Sequence, residues 1–436
     1  MAIPYHIRFL FILLFSFSVV HAQDTLRLHR EQCEAILLKE NLTLLAQQLE
    51  ISQSEAQVIQ AKLWPNPTLE LDEINLWTSQ KGTNNLSYFG DELPPLAGNF
   101  GRNQQISISL EQVIKTAGKR KKLIALEQVN VDKSRQYFED VIRNLKLEFR
   151  KQLTQLQYQE LLKNTYSRQL SSIRQLTKAY QHQVEQGHLP KGEYIRLKAL
   201  ELEISREIHT INSIINEVQT ELKVLMHLPP DVTLQLTPEG FFVDTEIYQS
   251  VNASSLLEEA QKYRPDLKIA ELEITFQDKL YTYERAQRIP DITLKGGYDR
   301  GGNFMYNFIG FGLSVDLPFF NRNQGNIRQA EFGREIAAIQ FRHLNNTIEN
   351  EIILCYRNLM NTVEFTNTID PGFETILDDL LTGYTQNFSN RNISLLEYLD
   401  FLDSYLENKQ IIFETGKELH EKTEELNYVL GKDLVK

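Results

Sequence analysis

From Lys119 to Gln186 the chain holds neither glycine nor proline. A helix over those 68 residues would reach roughly 100 Å at 1.5 Å per residue. An average helix has about 11–12 residues. A helix this long is stable in water only if another element packs along it. Tyr166, Leu170, Ile173, Thr177, Tyr180 and Val184 alternate steps of four and three, the spacing of a coiled-coil seam. Ile204, Ile208, Ile211, Ile215, Val218, Leu222 and Leu225 form a second such seam. Between the two lies Gly187-His188-Leu189-Pro190. Glycine stops the first helix and proline starts the next.

This arrangement occurs twice. "AKLWPNPTLEL" begins at Ala61 and "AQRIPDITLKG" at Ala286, a shift of 225 set by Pro65 and Pro290. Carried backwards without a gap, that shift matches Leu42 with Leu267, Ala35 with Ala260 and Glu34 with Glu259. Further on, "YQHQVEQGHLPKGEYIRL" from Tyr180 lies over "YTQNFSNRNISLLEYLDF" from Tyr384 at a shift of 204. There Leu189 meets Ile393 and Glu193 meets Glu397. The chain reads as two copies of one unit: helix, two strands, very long helix, helix.

The strands follow the proline junctions and alternate with period two. Leu69 and Leu71 alternate with Thr68, Glu70 and Asp72; Ile106, Ile108 and Leu110 with Ser107, Ser109 and Glu111. In the second copy Ile292, Leu294 and Tyr298 stand against Thr293 and Lys295, and Phe311, Leu313, Val315 and Leu317 against Gly312, Ser314 and Asp316. A soluble antiparallel sheet shows the same pattern. Aromatics near the strand ends (Trp77, Tyr88, Phe89, Phe100, Tyr298, Phe304, Tyr306, Phe308) favour a membrane barrel with aromatic girdles. Residues 79–103 read as a long external loop. The first repeat is placed at 23–230, with strands at about 66–113, a long helix at 118–186 and a helix at 190–228. A linker at 231–252 leads to the second repeat at 253–436, with strands at about 290–319, a long helix at 325–390 and a helix at 393–430. Gly333, Asp370-Pro371-Gly372 and Gly383 interrupt that second long helix, and a break is expected near Pro371.

His6 and Arg8 precede an apolar run from Phe9 to Val20, and Val20-His21-Ala22 suits signal peptidase. Residues 1–22 are expected to be a cleaved secretory signal. No later run of about 18 apolar residues can form a membrane-spanning helix. The formal net charge of −12 excludes a basic nucleic-acid-binding face. Cys33 and Cys355 read as small buried residues rather than a disulfide. Glycine-rich phosphate loops, H-E-x-x-H and His or Cys clusters at metal spacing are missing from the sequence. No enzyme activity, cofactor or resident metal is therefore expected.

Four strands cannot close a barrel, since the smallest have about eight. Open sheet edges are forbidden in lipid because their backbone groups stay unpaired. A membrane-spanning sheet of this kind requires several chains to share one barrel, with the long helices leaving it on one side.

With its duplicated unit, paired strands, uninterrupted helix and two turns "YQHQVEQGHLPKGEY" and "YTQNFSNRNISLLEY", the chain resembles the TolC family of outer-membrane efflux ducts over nearly all its length. The "WPNPTLEL" junction is most similar to the CzcC-like heavy-metal branch. The resemblance implies an α+β membrane protein: a homotrimer in which the duplicated unit gives a shared transmembrane β-barrel, continued by an α-helical coiled-coil barrel into the periplasm. It implies partners as well, a periplasmic adaptor and an inner-membrane pump. The tips Gly187, Leu189, Pro190, Asn392 and Ile393 are then expected to dock the adaptor, and Glu193, Glu397 and Asp400 to form an acidic pore constriction. Two departures stand out: the lipid-bearing Cys of many metal-branch members is absent, and Arg391-Asn392 replaces a family glycine. Metal ions, drugs and secreted polypeptide all remain open as cargo. So do a soluble extracytoplasmic coiled-coil scaffold and a secreted enzyme on a helical frame.

Overall fold

A computed structural model describes residues 25–75, 105–237, 240–300 and 307–434. The expected signal at 1–22, the loop at 79–103 and Trp77, Tyr88, Phe89, Phe100, Phe304 and Tyr306 lie outside these residues. The strands are β1 (Thr25–Leu28), β2 (Thr68–Asn75), β3 (Gln105–Ile114), β4 (Thr233–Leu236), β5 (Ile292–Arg300) and β6 (Asn307–Val315). The helices are α1 (Arg30–Glu40), α2 (Leu42–Lys62), α3 (Lys119–Glu185), α4 (Lys191–Leu225), α5 (Ala253–Tyr263), α6 (Pro265–Gln287), α7 (Gln324–Thr366), α8 (Phe373–Ser389) and α9 (Leu395–Leu430).

The chain divides into two compact units, and each draws on both repeats. One comprises residues 1–47, 139–264 and 347–436. Its core joins Leu153, Leu156 and Ile173 of α3, the α4 seam, and Leu395, Tyr398 and Leu402 of α9. Ile204, Ile211, Ile215, Val218 and Leu222 are buried, while Tyr166, Tyr180, Ile208 and Leu225 pack half-buried against that core.

Where the repeat pattern calls for one opening helix, the first repeat has three elements. Thr25–Leu28 pairs with Thr233–Leu236 as a two-stranded parallel ladder. Asn41 then adopts an extended backbone and separates α1 from α2. Its side chain closes the break, donating to the Leu225 carbonyl at 2.8 Å and accepting from the Leu44 amide at 3.0 Å. The second repeat breaks likewise at Arg264. Arg264 lies 223 residues after Asn41, not 225, so α6 has 23 residues where α2 has 21. The gap-free register therefore fails ahead of the break, where buried Cys33 and Leu37 correspond to buried Leu256 and Ala260.

The other unit comprises residues 48–138 and 265–346 and carries a four-stranded antiparallel sheet, β2-β3-β5-β6. The foot of α3 ties down both proline junctions. The Arg120 guanidinium donates to the Lys62 carbonyl at 3.0 Å and lies 4.1 Å over the Trp64 ring. Buried Lys119 pairs with Asp291 at 2.7 Å.

Of the three expected interruptions in the second long helix, the structure shows one, at 367–372, where Gly372 has φ +82°. Gly333 stays helical. A Cβ there would meet only the end of the flexible Gln277 side chain, at 2.5 Å. Gly383 is helical too.

Candidate functional site

The two tips are built alike. In the first, the Gly187 amide donates to the Val184 carbonyl and the His188 amide to Gln183. In the second, the Arg391 amide donates to Phe388 and the Asn392 amide to Asn387. This is the Schellman pattern, which needs a left-handed residue after the helix. Gly187 supplies it at φ +76° and Arg391 at φ +61°. Arginine thus adopts the conformation that glycine would take without strain. Leu189 and Ile393 are half-buried, whereas Pro190, the N-cap of α4, and Asn392 are exposed.

Glu193 and Glu397 hold equivalent places but do different local work. The Glu397 carboxylate completes a capping box, accepting from the Ser394 amide at 2.7 Å and the Ser394 hydroxyl at 2.8 Å. Those hydrogen bonds hold its carboxyl below the usual range. Pro190 has no amide hydrogen, so Glu193 has no such role. The S-x-x-E signature of this box stands in the sequence as Ser394-Leu395-Leu396-Glu397. Asp400 is exposed one turn beyond Glu397. Burial, then the charges of Glu203 and Asp400, raise the Asp403 carboxyl. Asp403, which the sequence did not single out, thus feels the charges of both Asp400 and Glu203.

Aromatic stacking joins the hairpins, and sequence periodicity gave no hint of it. Tyr180 of α3 stacks on Phe388 of α8 at 5.6 Å, Phe388 on Tyr398 of α9 at 4.8 Å, and Tyr384 on Phe401 at 4.0 Å. Each pair contributes about 0.5–1.5 kcal/mol beyond its area. Higher in the second hairpin, Lys409 is 3% exposed. It donates to Glu374 at 2.8 Å and Asp378 at 3.0 Å, and the Tyr405 hydroxyl also donates to Asp378 at 2.8 Å.

The sheet separates its residues by face. One face carries Leu69, Leu71, Ile108, Leu110, Leu294, Ile309, Phe311 and Leu313. The other carries Glu70, Asp72, Ser107, Ser109, Glu111, Lys295, Asp299 and Ser314, with Lys295 paired to Glu111. The apolar face is uncovered: Phe311 is 90% exposed, Ile309 69% and Leu69 64%. Among the described residues, β2 and β6 are free edges. No described helix is long and apolar enough to cross a membrane. No described group of three or more His, Cys, Asp or Glu residues is placed to hold a metal. Both cysteines are free.

Residues 35–193 match the family described as Outer membrane efflux protein. The cobalt-zinc-cadmium resistance protein CzcC of Cupriavidus metallidurans is 28% identical over 156 residues; the match spans 35% of this chain and 36% of that protein's length. Among solved structures, CusC is 16% identical with a TM-score of 0.69, covering 92% of each chain. The outer-membrane channel OprN is 12% identical with a TM-score of 0.71, covering 92% of this chain and 89% of its own. VceC from Vibrio cholerae is 15% identical with a TM-score of 0.65, covering 93% of this chain and 96% of its own. The sequence match is confined to residues 35–193, about a third of the chain, whereas the fold is shared with these channels over nearly the whole chain.

Proposed function

We propose that the protein is the outer-membrane exit duct of an efflux system, a passive conduit formed by three copies sharing one β-barrel. The sheet carries this reading. Its apolar face is uncovered, its opposite face is polar except for Phe308 and Val113, and among the described residues it has two free edges. Water makes such a face costly at about 25 cal/mol per Å², and lipid forbids its edges. Lipid on one side, a polar lumen on the other and edge-to-edge closure with further copies remove both costs. The β2 and β6 edges run antiparallel to each other, so closure continues the antiparallel order. The helices continue the duct into the periplasm. Leu189, Ile393 and the flanking Gly187, Pro190 and Asn392 dock an adaptor that links it to an inner-membrane pump. Glu193, Glu397 and Asp400, repeated by threefold symmetry, form an acidic constriction that favours cations.

The relative named for cobalt, zinc and cadmium resistance supports heavy-metal cations as the cargo. Deleting the gene and challenging the cells with these three metals and a panel of drugs tests it. The expected result is sensitivity to metals, restored by the intact gene. Sensitivity to drugs alone would reassign the cargo, and full resistance to both would remove the efflux role.

A further inference from the structure

Two clefts border α3 in the larger unit, of about 550 Å³ and about 300 Å³, and both are lined by Glu160, Lys163 and Gln235. Both volumes fall in the ~300–1,000 Å³ range of small-molecule sites. Glu160 and Lys163 are three residues apart on α3, hence on one face. Both are half-buried, and neither makes an ion pair or side-chain hydrogen bond to any described residue. Burial raises the Glu160 carboxyl to about 7, with Lys163 opposing. Half-buried charges that face only each other, without a hydrogen bond, are costly and leave room for a further counterpart. The larger cleft adds Asn212 and Asn216 of α4. Its floor is fixed: the Gln219 amide donates to the Leu234 carbonyl at 2.8 Å, and its oxygen accepts from the Leu234 amide at 3.1 Å. Gln219 thus occupies the Leu234 backbone groups that an added strand would pair with, leaving side-chain recognition.

A bare cation here would meet Lys163, and a bare anion would meet Glu160. We infer that this cleft binds a small zwitterionic peptide, its ammonium on Glu160, its carboxylate on Lys163 and its amides on Asn212, Asn216 and Gln235. The site does not depend on the duct reading, because none of these residues belongs to the sheet or the tips.

Calorimetry on the purified full-length protein in detergent at pH 7.5 tests it, with tri-alanine, N-acetyl-tri-alanine and tri-alanine amide as probes. Tri-alanine should bind saturably, and blocking either end should weaken binding at least tenfold. Glu160→Gln should erase the penalty for N-acetylation while keeping that for amidation, and Lys163→Gln should do the reverse. Circular dichroism confirms that both variants are folded. No saturable binding of tri-alanine, equal affinity for the blocked peptides, or unchanged selectivity in folded variants would each overturn the site.

Discussion

The two long-helix arms hold matching places in the chain but solve one problem differently. α3 runs through Ser167 and Arg168 without a break. At the corresponding place, 204 residues on, the second arm has Pro371 and Gly372 and its helix stops. An unbroken helix inherits its register against α4 from its whole length. α8 has 17 residues and must set its own register against α9. The cross-links reflect this. Arg174 meets Glu201 at 3.4 Å across the first hairpin, and the same two positions in the second are Asp378 and Tyr405, bonded at 2.8 Å. The first link is a surface ion pair. The second is anchored by buried Lys409, the kind of polar group that specifies register in a helical seam. Continuity supplies in one arm what a buried charge supplies in the other.

Breaking the two cross-links separately should expose the largest difference. Lys409→Ala should cost ~2–3 kcal/mol, below the ~3–5 kcal/mol of fully buried pairs because both carboxylates remain over a third exposed. Arg174→Ala, at an exposed pair, should cost under ~1 kcal/mol. Thermal unfolding followed by helical circular dichroism ranks the two, and equal losses would deny the second arm its special anchor.

A pH series sharpens the comparison at Glu160 and its repeat counterpart Glu364, which is exposed. Burial raises the Glu160 carboxyl from 4.5 to about 7, so the folded state prefers it protonated. That preference contributes stability below about pH 4.5 and is lost as pH rises through about 7. Glu160→Gln should therefore raise the unfolding temperature above pH 7 and leave it unchanged below pH 4.5. Glu364→Gln is the control, with no such pH-dependent gain. A gain independent of pH would assign the effect to packing.

The left-handed positions carry the smallest expected effect and much of the lesson about legibility. Gly118 and Asn323 precede the long helices, Gly187 and Arg391 follow them, and His227 and Gly431 end α4 and α9. Each pair keeps the conformation and holds one glycine. Duplication was legible because proline junctions, seams and the Gly- and Pro-free run are local signals. Arg391 and His227 were not, because the hydrogen bonds that close the helix ends impose a conformation their residue type disfavours. The two-residue offset at Asn41 and Arg264 was hidden by helical residues that match in either register. The Tyr180–Phe388 stack needed three dimensions. The strand faces were legible as alternation, but only the fold shows that the apolar one is uncovered. Arg391→Gly should stabilise the tip by about 0.5–1 kcal/mol, the left-handed cost of a side chain less the entropy of glycine. Gly187→Arg should lose a similar amount. Opposite signs in matched unfolding curves are expected, and equal signs would show that the tips are not equivalent.

The central claim is that a sheet with two free edges and an uncovered apolar face closes with other copies of itself in a membrane. Native mass spectrometry of the membrane-extracted protein in detergent tests it most directly. The account predicts a complex of three chains that persists in detergent and aggregates when detergent is withdrawn. A folded single chain, stable in water without detergent, would contradict it.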